Sequence, residues 1–372
     1  MGASQDIAIS DYGEKAIIEA VSQCPSCETT ILGPGDDAAV VSANDEKAVV
    51  CTDILVEGNH FNLDWVEPFH VGRRAIAQNA ADIVAMGARP TGFVVAVAAP
   101  ADCPVNTLKE IARGTVEEAA KVGADIVGGD YSQAPQLVIC VTATGEFSPG
   151  EKNVLRQDGA QPGDIIAVSG NLGWSRAGYE ICSGKFGSMD NFMSNDLVQR
   201  ASALYGCPEP PYEDGPVALE AGATSLTDVS DGLMLNLFHI ISKSAARQDK
   251  SCPDSVRRYE GPPEAGMVQA QLDKKGILAA ASDELFGLAE LCAQHTDSET
   301  AEELLLRWIY HGGEDHALLG TFPCSTKPPA NFKVIGKIVA SAPESPGYIM
   351  VDRELVEDYG GWESFSDEPL AK

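Results

Sequence analysis

Basic side chains are scarce in this chain. Lysine and arginine together number 26 against 55 aspartates and glutamates, a formal net charge of −29 over 372 residues. A field of that sign repels nucleic acid and anionic membrane, so neither is expected as a partner. It would equally repel a polyphosphate unless cations stood between. Long apolar runs are missing: no stretch reaches the roughly 18 residues of a membrane helix, and no basic segment followed by an apolar one opens the chain. The ten cysteines lack the density and spacing of a secreted disulfide framework, and a reduced, cytoplasmic protein is expected. Cys24-Pro25-Ser26-Cys27 has metal-ligand spacing, but no second such pair or nearby histidine pair completes a zinc site. Two ordinary loop cysteines are the simpler reading. GxxxxGK[ST], HRD and DFG are also absent, which excludes the P-loop and protein-kinase ways of holding a nucleotide.

What is present is an alternation of short β-branched runs with segments of helical period. Lys47–Thr52, Gly92–Ala98, Ala124–Val127 and Leu137–Thr144 read as strands, and Pro68–Met86 and Val105–Val122 as helices. This predicts an α/β unit. The first, second and last of those strands are nearly continuous apolar runs, which suggests sheet faces covered on both sides, one of them by a second subunit. A turn-rich stretch from Ser148 to Asp164 precedes a fresh strand, Ile165–Ser169, so a domain boundary is expected near residue 155. The second half repeats the alternation less regularly. Two polar stretches, Gly184–Pro211 and Gln248–Gly266, read as surface excursions.

In so acidic a chain an isolated carboxylate means little, and position has to decide. Asp36-Asp37 precede an apolar run, Asp53 and Asp130 are expected to close strands, Asp228 and Asp231 bracket Val229-Ser230, and Glu314-Asp315 follow Gly312-Gly313. Carboxylates at strand ends project into the crevice where α/β sheets bind ligands, and neighbouring glycines free backbone N–H groups for phosphate oxygens. So many anions converge only around cations. Hard oxygen donors without clustered histidine or cysteine select Mg²⁺. The competing reading is that these residues are turn formers and helix caps. It fits Asp82 least, because a carboxylate on the apolar Ala75–Met86 face costs several kcal/mol unless it is paired or metal-bound. Metal-assisted phosphoryl transfer needs little more from a protein than alignment and charge neutralisation.

Taken in order, Gly35-Asp36-Asp37-Ala38, Thr52-Asp53-Ile54-Leu55-Val56-Glu57-Gly58-Asn59-His60-Phe61, Asn79-Ala80-Ala81-Asp82, Gly128-Gly129-Asp130, Asp228-Val229-Ser230-Asp231-Gly232-Leu233 and Gly312-Gly313-Glu314-Asp315 resemble the thiamine-monophosphate kinase family of the AIR-synthase-like superfamily. The likeness runs from Asp37 to Phe365, and the stretch around Thr52–Phe61 is its most specific element. It implies a two-domain α/β (α+β) fold: residues 1–155 pair with their copy in a homodimer, and residues 156–372 pack against them. It implies Mg²⁺, several ions, on Asp37, Thr52, Asp53, Asp82, Asp130, Asp228 and Asp231. ATP as co-substrate would meet Gly129, Asp130, Arg156 and Ser230, and thiamine monophosphate would meet His60, Glu314 and Trp362. The implied reaction is direct transfer of the γ-phosphoryl group to thiamine monophosphate.

The chain departs from the family pattern in places. Cys51 stands where serine or threonine is common, Tyr131-Ser132 replace a frequent Thr-Thr, His316 replaces an aromatic, and Lys121-Val122 lack a frequent tyrosine. The alternatives are another ATP-using AIR-synthase-like enzyme, making selenophosphate or aminoimidazole ribonucleotide, or a non-catalytic nucleotide-binding scaffold. Cys24 and Cys27 do not sit in the reactive glycine-rich setting of the first, and the GTK-type loop of the second is missing.

Overall fold

Two sheets organise the chain. The computed structural model describes residues 30–32, 36–43, 46–187, 194–248, 268–296, 298–341 and 349–361, so Cys24, Cys27 and Trp362 lie outside the described residues. The first sheet holds β1 (Thr30–Leu32), β2 (Ala39–Ala43), β3 (Glu46–Val56), β4 (Arg89–Ala99), β5 (Asp125–Gln133) and β6 (Val138–Glu146), in spatial order β1-β2-β3-β6-β4-β5. Only β4 and β5 run parallel. Helices α1 (Pro68–Ala85) and α2 (Val105–Lys121) cover one face of it. They cross closely because Gly72 and Gly114 carry no side chain: a Cβ on Gly72 would stand 2.0 Å from the Ile111 carbonyl oxygen, and one on Gly114 2.0 Å from that of Phe69. Pro68 opens α1 with its φ already set, and Gly87, at φ 79°, lets the chain leave it.

Among the described residues nothing covers the other face of this sheet. Ile54 is 52 % exposed and Val94 42 %, while edge strand β5 leaves Val127 at 67 % and Tyr131 at 61 %. Alternation along β4 and β6 is that of a half-covered antiparallel sheet, not of strands buried on both faces.

The second sheet is β13-β12-β9-β11-β7-β10-β8, built from β7 (Ile165–Ser169), β8 (Ser225–Val229), β9 (Gln269–Leu272), β10 (Ala317–Phe322), β11 (Lys333–Val339), β12 (Ile349–Val351) and β13 (Glu354–Leu355). Around it lie α3 (Trp174–Cys182), α4 (Asp196–Gly206), α5 (Asp214–Glu220), α6 (Leu233–Gln248), α7 (Lys274–Ala280), α8 (Asp283–Ala293) and α9 (Ala301–His311). Here β8 and β10 are buried along their whole length. No helix among the described residues is long and apolar enough to cross a membrane.

Val84 and Ala85 at the end of α1 pack with Leu155, Ala167, Leu226, Leu318 and Phe322 in one apolar cluster. That cluster brings the end of α1 against β8, and so fixes the place where the carboxylates meet.

Two expectations are corrected. Part of Gly184–Pro211 is no surface excursion: α4 buries Val198, Ala201, Leu204 and Tyr205 at helical spacing, and Asn195 caps it by accepting from the Leu197 N–H. Asp53 and Asp130 lie within strands, not at their ends, since β3 runs on to Val56 and β5 to Gln133. The mostly antiparallel pairing also removes the carboxyl-end crevice of a parallel sheet as the organising device.

Candidate active site

One stripe of α1 reaches three partners. Arg74, Gln78 and Asp82 are four residues apart and share a face. Arg74 Nη2 pairs with Glu314 Oε2 at 2.8 Å, Gln78 is within hydrogen-bonding reach of Asp53, and a ligand oxygen of Asp82 lies within 4.8 Å of those of Asp37 and Asp228. Three chain segments more than 40 residues apart thus deliver carboxylates to one point.

Asp37 is held on one side only. Its Oδ1 accepts from Gln157 Nε2 at 2.8 Å and Thr227 Oγ1 at 2.9 Å, while its Oδ2 is buried with no partner. The Lys243 ammonium donates to Gln157 Oε1, which orients that amide so that its NH₂ grips Asp37. A buried carboxylate oxygen without a donor, facing two further carboxylates, is where a hard cation fits. Asp37, Asp82 and Asp228, with Asp53 beside them, form a group of oxygen donors that could hold such an ion.

Without a cation, charge in this cluster is costly. Burial first, then Asp228 and Asp36, push the Asp37 carboxyl well above its ordinary value; burial, Asp53, Asp228 and Asp37 do the same to Asp82. Burial raises Asp53 to about 6 even though His316 opposes it, and raises Asp36 to about 6 against the pull of Lys243. Cys51, on the same face of β3 as Asp53, donates to the Asn79 carbonyl at 3.4 Å. Burial and the nearby Asp82 and Asp53 hold its thiol well above the usual range.

The Gly312–His316 turn forms the other wall. Glu314 and His316 take the left-handed region, at φ 66° and 51°, a conformation costing about 1–2 kcal/mol per non-glycine residue. Hydrogen bonds from Glu314 N to Ser230 O (2.7 Å) and His316 N to Val229 O (3.0 Å) pin the turn to β8 and the residue beyond it. His316 Nδ1 meets Asp228 Oδ2 at 2.7 Å, and its Nε2 stands 3.5 Å from Glu314 Oε2. Burial works against a charged imidazole here, yet the bond to Asp228 and the nearby Glu314 carboxylate prevail and raise its pKa to about 10. Burial likewise opposes the Glu314 charge, but Arg74, His316 and His60 hold its carboxyl well below the usual range. Asp315 is different: its carboxylate accepts from the N–H groups of Gly173 and Ser175 and so caps α3. Burial raises it to about 7, with those N–H bonds pulling the other way.

Not all expected residues join this cluster. Side chains alternate along β3, so Thr52 points to the open face, bonded to Val141 O at 2.9 Å, opposite to Asp53. Register places Ile54, Cys140, Ala96 and Asp130 in one row across the open face. Three strand spacings put Asp130 about 14 Å from Ile54. Gly129 lies in the same strand against β4, where a Cβ would come 2.1 Å from the Val95 carbonyl oxygen. Arg156 forms a two-pronged pair with Asp158, at 3.0 and 2.8 Å, close enough to Asp36 to act on its charge. Ser230 and Asp231 follow β8 directly, and the Asp231 N–H donates to Asn236 Oδ1 at 3.1 Å. His60 closes a tight turn by accepting from the Val56 N–H at 3.0 Å, and it stands near enough to Glu314 to act on that carboxyl.

Sequence reasoning missed Arg74, Gln78, Gln157, Thr227 and Lys243. For Arg74 and Gln78 the signal was present: polar residues on the apolar helix face that already singled out Asp82.

A two-sheet α+β fold with a carboxylate cluster where the sheets meet defines an AIR-synthase-like protein, and residues 35–147 match the family described as AIR synthase related protein, N-terminal domain. The thiamine-monophosphate kinase of Mycobacterium tuberculosis (strain ATCC 25618 / H37Rv) is 40 % identical, over 98 % of this chain and 95 % of its own length. That of Corynebacterium glutamicum is 33 % identical over 96 % and 95 %. Among solved structures, AaThiL complexed with AMPPCP and TMP superposes with a TM-score of 0.73 at 24 % identity, covering 97 % of this chain and 99 % of that one. The chain belongs to the thiamine-monophosphate kinase family.

Proposed function

We propose that this chain transfers the γ-phosphoryl group of ATP to thiamine monophosphate, giving thiamine diphosphate and ADP. The observation that carries the reading is the meeting of Asp37, Asp82 and Asp228 within 4.8 Å, with Asp37 Oδ2 left unpartnered. These residues and Asp53 would hold Mg²⁺, and by family likeness Thr52, Asp130 and Asp231, which stand outside this cluster, would hold further ions. Bound there, Mg²⁺ supplies the positive charge that lets two phosphate chains approach in so acidic a protein. Gly129, Asp130, Arg156 and Ser230 would take ATP; His60, Glu314 and Trp362 would take the thiamine phosphate.

The chemistry asks for no protein nucleophile. An oxygen of the acceptor phosphate, already ionised near neutral pH, attacks the γ-phosphorus as the bond to the bridging oxygen of ADP breaks. Cys51 lies close enough to Asp82 and Asp53 to feel their charge, and its raised pKa keeps it protonated and inert. The chain's residues align the two phosphates and hold the charge balance.

Residues up to about 155, carrying the first sheet, form one domain in this reading, and the remainder forms the other. The open apolar face around Ile54 and Val94 is covered by a second copy, making a homodimer whose interface contains Thr52 and Asp130. The described cysteines are all free, which suits a reducing cytoplasm.

Incubation with ATP, Mg²⁺ and either thiamine monophosphate, free thiamine, selenide or an aminoimidazole precursor tests the assignment. Thiamine diphosphate should form from the first alone. Nucleotide binding without turnover on any of them would replace the reading with a scaffold. γ-Labelled ATP by itself should leave no label on the protein.

A further inference from the structure

His316 is placed between the two ends of the proposed site. Its Nδ1 holds Asp228 of the carboxylate cluster at 2.7 Å, and its Nε2, which has no hydrogen-bond partner, is turned toward Glu314 at 3.5 Å. Glu314 in turn receives Arg74 from α1 at 2.8 Å. The ring is 4 % exposed, so water does not compete for either nitrogen. Its left-handed backbone, at φ 51°, is held by the bond from its N–H to Val229 O, beside Asp228 in the chain. A phenylalanine here could fill the space but could not hold either carboxylate.

We propose that His316 is a positioning residue that ties the metal-binding carboxylate to the substrate-binding one. Nδ1 fixes which oxygen of Asp228 faces Asp37 and Asp82, and Nε2, 3.5 Å from Glu314 Oε2, sets where that carboxylate stands for the thiamine phosphate. This rests on the kinase reading given above. A partner that orients a metal-binding side chain without touching the metal typically governs 10–100-fold in metal affinity or activity.

The two nitrogens can be tested separately. In His316→Asn the amide nitrogen takes the place of Nδ1, and in His316→Gln it takes the place of Nε2. The Asn variant should keep a Mg²⁺ requirement within about twofold of wild type while KM for thiamine monophosphate rises about tenfold. The Gln variant should show the reverse: the Mg²⁺ concentration for half-maximal activity rises about tenfold, with a smaller change in KM. His316→Phe should lose both. Should the Phe variant fail to fold, the Asn and Gln pair still decides. Equal shifts of both quantities in Asn and Gln, or lowered melting temperatures with both quantities unchanged, would overturn the proposal. Mg²⁺ binding by thermal shift, without nucleotide or thiamine phosphate, separates this from failure of the kinase reading. There the Asn variant should respond like wild type and the Gln variant only at about tenfold higher Mg²⁺, whatever the substrate proves to be, and a wild-type-like response from Gln would overturn the Asp228 half.

Discussion

Replacing Asp82 by asparagine removes one negative charge from the centre of the carboxylate cluster and almost nothing else, since the two side chains are nearly the same size. Its ligand oxygen lies within 4.8 Å of those of Asp37 and Asp228. At that distance, and with an effective dielectric constant of about 20, two unit charges repel by about 3–4 kcal/mol. Two such repulsions disappear with Asp82. The raised proton affinities of Asp37 and Asp82 already relieve part of them, so a net gain of about 2 kcal/mol is expected for the metal-free protein near pH 8. For a chain of 372 residues that is a rise of about 2–3 °C in melting temperature. The same change takes away an oxygen anion needed for Mg²⁺, so turnover should fall by at least a hundredfold, and added MgCl₂ should no longer raise the melting point as it does in wild type. Scanning fluorimetry in EDTA and in MgCl₂, alongside a thiamine-monophosphate phosphorylation assay, reads all three. An Asp82→Asn protein that melts lower than wild type in EDTA, or that keeps the wild-type response to Mg²⁺, would refute the placing of the cation at this cluster.

Asp130 is exposed on β5, so Asp130→Asn should abolish turnover yet leave the metal-free melting temperature within about 1 °C; near-native activity would remove Asp130 from the site. Asp36 and Asp53 have pKa values raised from 3.8 to about 6, so the folded state keeps protons that the unfolded state has lost, and metal-free stability should fall as pH climbs from about 4 to 6, with the more strongly raised Asp37 and Asp82 carrying the fall further. Saturating Mg²⁺ should remove that fall but not the part due to Asp315, raised to about 7 away from the cluster; urea titrations at pH 5, 6, 7 and 8 with and without MgCl₂ test both statements. Ile54→Glu on the open face should turn a dimer into a monomer in sedimentation velocity at micromolar concentration, and a wild-type monomer under those conditions would reject the second copy.

Helix α1 was legible almost to the residue, because Pro68 and Gly87 punctuate an unbroken apolar period between them. The sequence pattern of strand β3 stops four residues before its end and starts one after its beginning. The inward carboxylate of Asp53 interrupts the apolar alternation there, and the chain accepts that cost where the cations are expected. Strand β5 was cut at Val127 because Gly128-Gly129 looks like a turn, whereas Gly129 lets β4 come within a distance no side chain would permit. Helix α4 was hidden by its polar surroundings, although its buried residues keep helical spacing. In the site, motif order pointed to Asp37, Asp82 and Asp228 one by one. What it could not supply was the bond from Thr227 to Asp37 across 190 positions, or the splitting of Thr52 from Asp53 by strand alternation.

The stripe of Arg74, Gln78 and Asp82 makes α1 a ruler. Eight residues at 1.5 Å each separate its ends by about 12 Å, a length set by backbone hydrogen bonds and indifferent to which side chains the loops carry. The glycine-tight crossing with α2 and the apolar seat of Val84 and Ala85 prevent the rod from sliding. The end facing Glu314 and the end facing Asp37 and Asp228 therefore cannot drift apart independently: shortening or lengthening α1 by one residue would swing one end about 100° around the axis relative to the other. Tolerance to change should accordingly be lowest along this one helix, and insertions should be accepted on either side of it far more readily than within it.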